Sequence, residues 1–469
     1  MTHLEVYAPF CKSLLQTYPM TSREQALMAL ESAVTLYRDR QSWLSTSQKI
    51  VILERLAELV IEKQDGLAEI ASREGGKPIA DSKVEIARAI EGIQAASAAL
   101  PLTGREVPMG RRPSSAERTA MTYWEPRGVV FAISAFNHPF NLLIHQVVTA
   151  LAAGCPVLLK PALKTPISAY QLVDLLRSAG LPEGYCQLLL TSDEDTGYLV
   201  SDSRIAFLNF IGSAKVGWSL RSALAPGASC LLEHGGVAPV IVDETANIDA
   251  LIPAMLKGGF YHAGQVCVSV QRIYVPRNRA REIGEKLAKK ASELCVGDPL
   301  LPETQVGPLI DSRAMRRVQD SIDEALEQGA ELLCGGKALS ATTFSPTILY
   351  APSAQAKVCQ EEVFGPVMSI LPYDDIEEAI GAANLEGHYF QAALFTNRLD
   401  QAWEIGRRLQ GTAVMVNDHT AFRVDSMPFG GHRLSGLGIG GIQESIAAAS
   451  IERMIVFNHQ LGPGDAIAD

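Results

Sequence analysis

Between Val129 and Ile211 short, continuously apolar runs alternate with segments of helical pattern. Val129 to Ile133, Pro156 to Lys160, Cys186 to Leu190 and Ile205 to Ile211 read as strands. Pro139 to Ala153, Pro166 to Ala179 and Thr196 to Ser201 read as helices between them, the second closed by Gly180. This alternation is the pattern of a parallel sheet with helical crossovers, and it restricts the chain to the α/β class. In open sheets of that kind ligands sit outside the carboxyl ends of the strands. The residues that follow these strands are the first place to look for chemistry.

At 469 residues the chain is too long for one ordinary core, and two or three domains are expected. Residues 22 to 100 read as helices, with Ile50, Leu53, Leu56, Leu59 and Val60 on one amphipathic face. Gly75-Gly76-Lys77-Pro78 ends one helix and starts another. Residues 101 to 118 read as a loop, followed by two strands, Thr119 to Trp124 and Val129 to Ile133, around a turn. A second α/β series follows, with Val240 to Val242 and Val270 to Val275 as strands and Asp249 to Tyr261, Ala280 to Leu294 and Arg313 to Gln328 as helices. It runs to about residue 415, and Ile451 to Phe457 is strand-like.

Composition removes several classes of function. A net charge of −11 argues against a nucleic-acid surface, which needs basic patches. The most apolar stretch, Val147 to Leu159, is broken by Gly154 and Pro156 and is too short to span a bilayer. The N-terminus lacks a basic region followed by a long apolar run, so no secretion signal is expected. Eight scattered cysteines without a C-x-x-C pair fit a reduced, cytoplasmic protein. No histidine pair has metal-ligand spacing, so no metal is expected, and no G-x-S-x-G offers a hydrolase nucleophile.

The candidate nucleophile is Cys267 in Gly264-Gln265-Val266-Cys267, where glycines let a backbone or ligand approach the sulfur. A free thiol ionises near pH 8.5, so it needs a base or an electropositive pocket; a buried structural cysteine is the alternative. Asn137, in Ser134-Ala135-Phe136-Asn137-His138, follows a strand and either donates to an oxyanion or caps the next helix. Glu233, in Glu233-His234-Gly235-Gly236, becomes a general base if partly buried, and is otherwise a surface glutamate. Lys160, ahead of Ala162, ends a strand where it can reach ribose or phosphate, or is simply solvated. Gly212 and Ser213 open a helix whose N–H groups suit a pyrophosphate, or form an ordinary helix cap. Glu362 and Phe364, in Glu361-Glu362-Val363-Phe364-Gly365-Pro366, can clamp a ribose and pack beside a ring, or form a turn. Gly436-Leu437-Gly438-Ile439-Gly440-Gly441 matches a dinucleotide fingerprint as a string but follows no strand, so it reads as a loop over the site.

Taken together, Asn137, E-x-G-G at Glu233, G-Q-V-C at Cys267, E-E-V-F-G-P at 361–366, and P-F-G-G with S-G-x-G at 428–438 resemble the aldehyde dehydrogenase superfamily. The resemblance runs from about Ser22 to Phe457 and concerns the NAD(P)-dependent, CoA-independent type. It implies an α/β fold with a Rossmann-like cofactor domain (1–117 and 133–232), an α/β catalytic domain (233–430), and a small β oligomerisation arm and tail (118–132 and 445–469). It implies a homodimer or homotetramer acting on a small-molecule aldehyde, with no nucleic-acid or membrane partner. Cys267 would attack the aldehyde, Asn137 and the Cys267 N–H would hold the oxyanion, and Glu233 would activate water on the thioester. Ser134, Phe136, Lys160, Ala162, Leu163, Lys164, Gly212, Ser213, Glu362 and Phe364 would surround the cofactor.

The departures from the family pattern bear on specificity. Leu163 stands where NAD-preferring members often carry glutamate, which removes a barrier to a 2′-phosphate, and Lys164 is a candidate phosphate partner. NAD is expected first, with NADP admissible. His138 stands where members acting on greasy aldehydes have an apolar or aromatic residue, and the loop 417–425, which should line the tunnel mouth, offers His419 and Arg423, so these three are the expected substrate contacts. An arginine fork suits a carboxylate or phosphate, so a small polar or anionic aldehyde is expected. The alternative for Arg423 is a loop-holding pair with Asp418 or Asp425. Other enzymes left open are a CoA-acylating dehydrogenase, which generally lacks the base at Glu233, and a thiol hydrolase.

Overall fold

The computed structural model describes residues 2–100, 104–112, 115, 117–384 and 387–459. Part of the expected 101–118 loop and the tail beyond 459 lie outside the described residues. The first α/β series forms a six-stranded sheet in the order Gly436–Leu437, Ser229–Glu233, Ile205–Ile211, Val129–Ile133, Val157–Lys160 and Cys186–Leu188. Only the Gly436–Leu437 edge is antiparallel. Counted in chain order, the five parallel strands lie 3-2-1-4-5, the doubly wound order whose switch point falls beside the first strand. All five residues of Val129–Ile133 are buried, because helices cover both faces. Thr46–Glu62, Ile79–Ala98 and Ile167–Ser178 pack one face, and Arg23–Arg38 the other.

The second series forms a seven-stranded sheet: Glu331–Cys334, Thr347–Tyr350, Val367–Tyr373, Arg272–Pro276, Pro239–Val242, Gln391–Phe395 and Ala413–Val416. It is parallel except at the first pair. Its core includes buried residues of the helices Ile248–Phe260, Arg277–Ser292 and Ser312–Glu327.

Three features differ from the sequence expectations. Thr119 to Trp124 does not pair with Val129–Ile133 across the turn. The strand Arg118–Pro126 pairs antiparallel with Ser450–Asn458 over its whole length, and Val129–Ile133 lies in the six-stranded sheet. The helix expected from Pro139 to Ala153 begins at Asn141 and carries a π-helical turn, Ile144–Val148. An antiparallel hairpin, His3–Tyr7 with Leu14–Pro19, precedes the first helix. Among the described residues no helix is long and apolar enough to cross a membrane.

Candidate active site

A cavity of about 1060 Å³ is lined by the segments that follow the strands of the six-stranded sheet and by residues from 261 onward. Ser134 to His138 extend from Ile133, Lys160 and Ala162 from the next strand, Gly212 and Ser213 from Ile211, and Glu233 to Gly235 from the last parallel strand. Cys267, Glu362, Phe364 and Arg423 face the same space.

Cys267 is set by an unusual backbone path. After Phe260 the chain enters left-handed conformation at His262 (φ 48°), Ala263 (φ 54°) and Gly264 (φ 70°). Non-glycine residues held there cost roughly 1–3 kcal/mol each, so the surroundings must enforce the turn. Gly264 is obligatory, since a Cβ would lie 2.1 Å from the Gly365 carbonyl oxygen. Gln265 is fully buried and donates its side-chain amide to the carbonyls of His262 and Pro308, while its side-chain oxygen accepts from the Ile310 N–H. Asn137 donates its side-chain N–H to the Gln265 carbonyl at 2.9 Å. An amide NH₂ has two hydrogens, so one remains for another acceptor.

The electrostatics of the cavity follow from burial. The Cys267 thiol is pushed well above its ordinary range by burial, then by the Glu233 and Glu362 carboxylates, while Arg423 pulls it down. Burial raises the Glu233 carboxyl to about 7, again opposed by Arg423. A carboxyl raised to that range can serve as a base near neutral pH. Arg423 stacks its guanidinium on the Phe429 ring, 3.6 Å from the centroid, and its Nε has no hydrogen-bond partner. It does not pair with Asp425, whose carboxylate accepts from both Arg88 Nε and Nη2 at 3.0 Å.

The chain belongs to the aldehyde dehydrogenase family. Residues 1–455 match the model of that family. A 3-sulfolactaldehyde dehydrogenase of Priestia aryabhattai is 39% identical over 416 residues, covering 88% of this chain and 87% of that protein. Aldehyde dehydrogenase 21 of Physcomitrella patens, in complex with the reaction product succinate, superposes with a TM-score of 0.94 at 30% identity, covering 97% of this chain and 95% of that one. Glyceraldehyde-3-phosphate dehydrogenase of Methanocaldococcus jannaschii, complexed with NADP, gives 0.92 at 32% identity, covering 97% and 99%. The protein is thus an NAD(P)-dependent aldehyde dehydrogenase.

The cavity fits a dinucleotide. Ser213 caps the helix Ala214–Ala223, yet its side chain makes no cap hydrogen bond, which leaves the helix N-terminus open to an anion. Lys160 is 7% exposed, and its ammonium is depressed by burial and supported by Asp193. The Ser134 hydroxyl is buried without a partner, as is Glu362 Oε1. Burial raises the Glu362 carboxyl to about 8. Phe136 and Phe364 meet edge to face at 5.8 Å.

Two expected contacts are not in the cavity. Leu163 lines a neighbouring hollow with Tyr7, Pro9 and Thr342. Lys164 lines both spaces, and its Nζ is 3.5 Å from the Asp311 carboxylate. His419 packs its Cβ against Gly258 of the helix behind the nucleophile and is turned away from the cavity. His138 does line it, with Nε2 3.2 Å from the Tyr261 hydroxyl. Arg88, Asp193, Lys215, Tyr261, Arg313 and Arg317 also line the cavity and were not anticipated. Arg88 lies on a helix face with no glycine, turn or strand end to mark it.

Proposed function

We propose that this enzyme oxidises a small aldehyde bearing an anionic group, with Cys267 as nucleophile and Arg423, beside Arg88, as the anion anchor. What carries this is the setting of Arg423: a guanidinium inside the cavity, electrostatically coupled to Glu233 and Cys267, with an Nε that bonds to nothing. A half-buried cation without a full set of acceptors is a place for an anion. The relatives support it, since 3-sulfolactaldehyde, succinate and glyceraldehyde 3-phosphate each carry an acidic group.

Cys267 gives up its proton to water, and the thiolate attacks the aldehyde carbon, which leaves Glu233 ionised for the later step. The oxyanion forms beside the free Asn137 N–H and the Cys267 backbone N–H. A dinucleotide, when bound, would supply the hydride acceptor. Ser213, Lys160 and Glu362 would hold it, and Phe136 and Phe364 would pack beside it. With the hydride gone, the acyl carbon would stay on Cys267 as a thioester. Glu233 then removes a proton from water, which attacks the thioester and releases the carboxylic acid. His138 and Tyr261 offer a neutral, hydrogen-bonding wall, because burial and Lys77 keep the imidazole uncharged.

The Arg118–Pro126 and Ser450–Asn458 ribbon supports a homo-oligomer: Met121, Met454, Ile455, Val456 and Phe457 expose apolar surface along it. A cytoplasmic setting agrees with eight unpaired cysteines.

The test is initial-rate NAD(P)H formation with succinate semialdehyde, 3-sulfolactaldehyde and hexanal, in wild type and Arg423→Ala. Losing this cation is expected to cost about 100-fold in kcat/KM for the two anions and far less for hexanal. Equal losses for all three would overturn the anchor.

A further inference from the structure

Behind the two arginines lies a buried cluster that no catalytic step uses. Asp425 is 2% exposed and is the acceptor for four donors. Arg88 gives it Nε and Nη2, one to each oxygen, at 3.0 Å. Asn141 Nδ2 approaches to 3.1 Å and His145 Nε2 to 2.6 Å. His145 belongs to the π-helical turn Ile144–Val148, the kind of local widening that re-aims a side chain from a helix. Its ring faces Arg423 Nη2, at 3.3 Å from Nε2 and 3.5 Å from Nδ1.

These contacts define the charge of the cluster. The carboxylate only accepts, so His145 carries its proton on Nε2, and Arg423 Nη2, almost equidistant from the two ring nitrogens, lies over the ring. A charged imidazole between two guanidiniums would add a third buried cation, and burial together with Arg423 lowers His145 to about 4. Asp425 stays ionised, since His145 and both arginines pull its carboxyl well below the usual range. Two arginines and one carboxylate leave a single net positive charge. The neighbouring Lys77 and Glu85 are fully buried and paired with each other, so they add none.

We propose that Asp425 sets the charge of the substrate anchor: by neutralising Arg88 and holding His145 against Arg423, it fits the pocket to a singly charged carboxylate or sulfonate and against a doubly charged phosphate. This rests on Arg88 and Arg423 being the substrate anchor. A dianion there would leave one negative charge uncompensated in a buried site that also contains Glu233, and buried unpaired charge is strongly disfavoured. Asp425 and His145 are positioning residues, since neither lines the cavity.

The experiment measures kcat/KM at pH 8, where a phosphate monoester is dianionic, for lactaldehyde, succinate semialdehyde, 3-sulfolactaldehyde and glyceraldehyde 3-phosphate. Wild type is expected to favour the carboxylate and sulfonate over the phosphate by about tenfold or more, with the neutral aldehyde also poor. Asp425→Asn raises the cluster to two net charges and is expected to shift the phosphate-to-sulfonate ratio about tenfold toward phosphate. His145→Gln keeps Asp425 and is expected to lower all three anions while leaving their ratio unchanged. A merely structural Asp425 would lower every substrate alike, and that result would overturn the proposal. If Asp425→Asn does not fold, the wild-type ratio still decides: phosphate used as well as sulfonate overturns charge selection yet leaves the anchor standing. No advantage of any anion over lactaldehyde overturns the anchor and this proposal with it.

Discussion

Asn137 donates its side-chain amide to the backbone carbonyl of Gln265, 2.9 Å away, and so ties the cofactor sheet to the segment that carries Cys267. The two residues are 128 positions apart in the chain, and the contact is buried. One hydrogen bond thus fixes the distance between the expected oxyanion donor and the nucleophile loop.

Asn137→Ala removes both that tie and the donor. It is expected to lower kcat by ~10²–10³, the usual effect of losing one oxyanion donor. Stability should fall by only about 1–3 kcal/mol, since one buried carbonyl loses its partner. Steady-state kcat and denaturant melts check this. A kcat loss below tenfold in a folded variant would remove Asn137 from the oxyanion site.

The Glu233 carboxyl, raised to about 7, predicts the acid limb of the pH profile. Glu233 must be ionised to act as base, so kcat should rise with pH up to about 7 and fall about tenfold per unit well below it. Arg423 opposes the rise in Glu233, so Arg423→Ala is expected to move the limb to higher pH. Measuring kcat against pH with hexanal isolates this from anion binding. A limb that stays put or moves down would mean the two groups do not interact.

Gly235 lies under the Glu362 carboxylate. A Cβ at 235 would sit 1.9 Å from Oε1 and would displace the side chain expected at the cofactor ribose. Gly235→Ala is expected to raise KM for the dinucleotide about tenfold, the scale of one lost charge-assisted hydrogen bond. Cofactor titration at saturating aldehyde reads this out, and an unchanged KM would place Glu362 elsewhere in catalysis.

Gly264→Ala meets a harder obstacle. Its φ of 70° and the Gly365 carbonyl 2.1 Å from the added carbon leave no room without moving backbone. A loss of ~3 kcal/mol or more is expected, with activity abolished. Urea unfolding with activity assays would test it. A stable, active variant would show that the left-handed turn is not required.

Much of the fold was legible because its information is local. The strand–helix alternation from Val129 to Ile211 and the strand ends at Lys160, Gly212 and Glu233 each lie within a few residues, and they converge on one cavity. Strand partners are not local: Arg118–Pro126 finds Ser450–Asn458, more than 300 residues later, rather than its neighbour. Arg88 and Asp425 meet across 337 residues. Nothing near either position marks the meeting. The irregular loop around His419 and Arg423 has no period, so sequence could not say that Arg423 faces inward while His419 packs on Gly258. Leu163 and Lys164 differ for the same reason: both line the neighbouring hollow, and Lys164 alone also reaches the main cavity.

The most direct measurement is the mass of the Glu233→Gln enzyme after incubation with succinate semialdehyde and NADP, followed by peptide mapping. Without its base the thioester should accumulate. The expected result is one succinyl group per chain, on Cys267, with a matching single-turnover burst of NADPH. An adduct on another of the eight cysteines, or turnover with Cys267 never modified, would contradict the account.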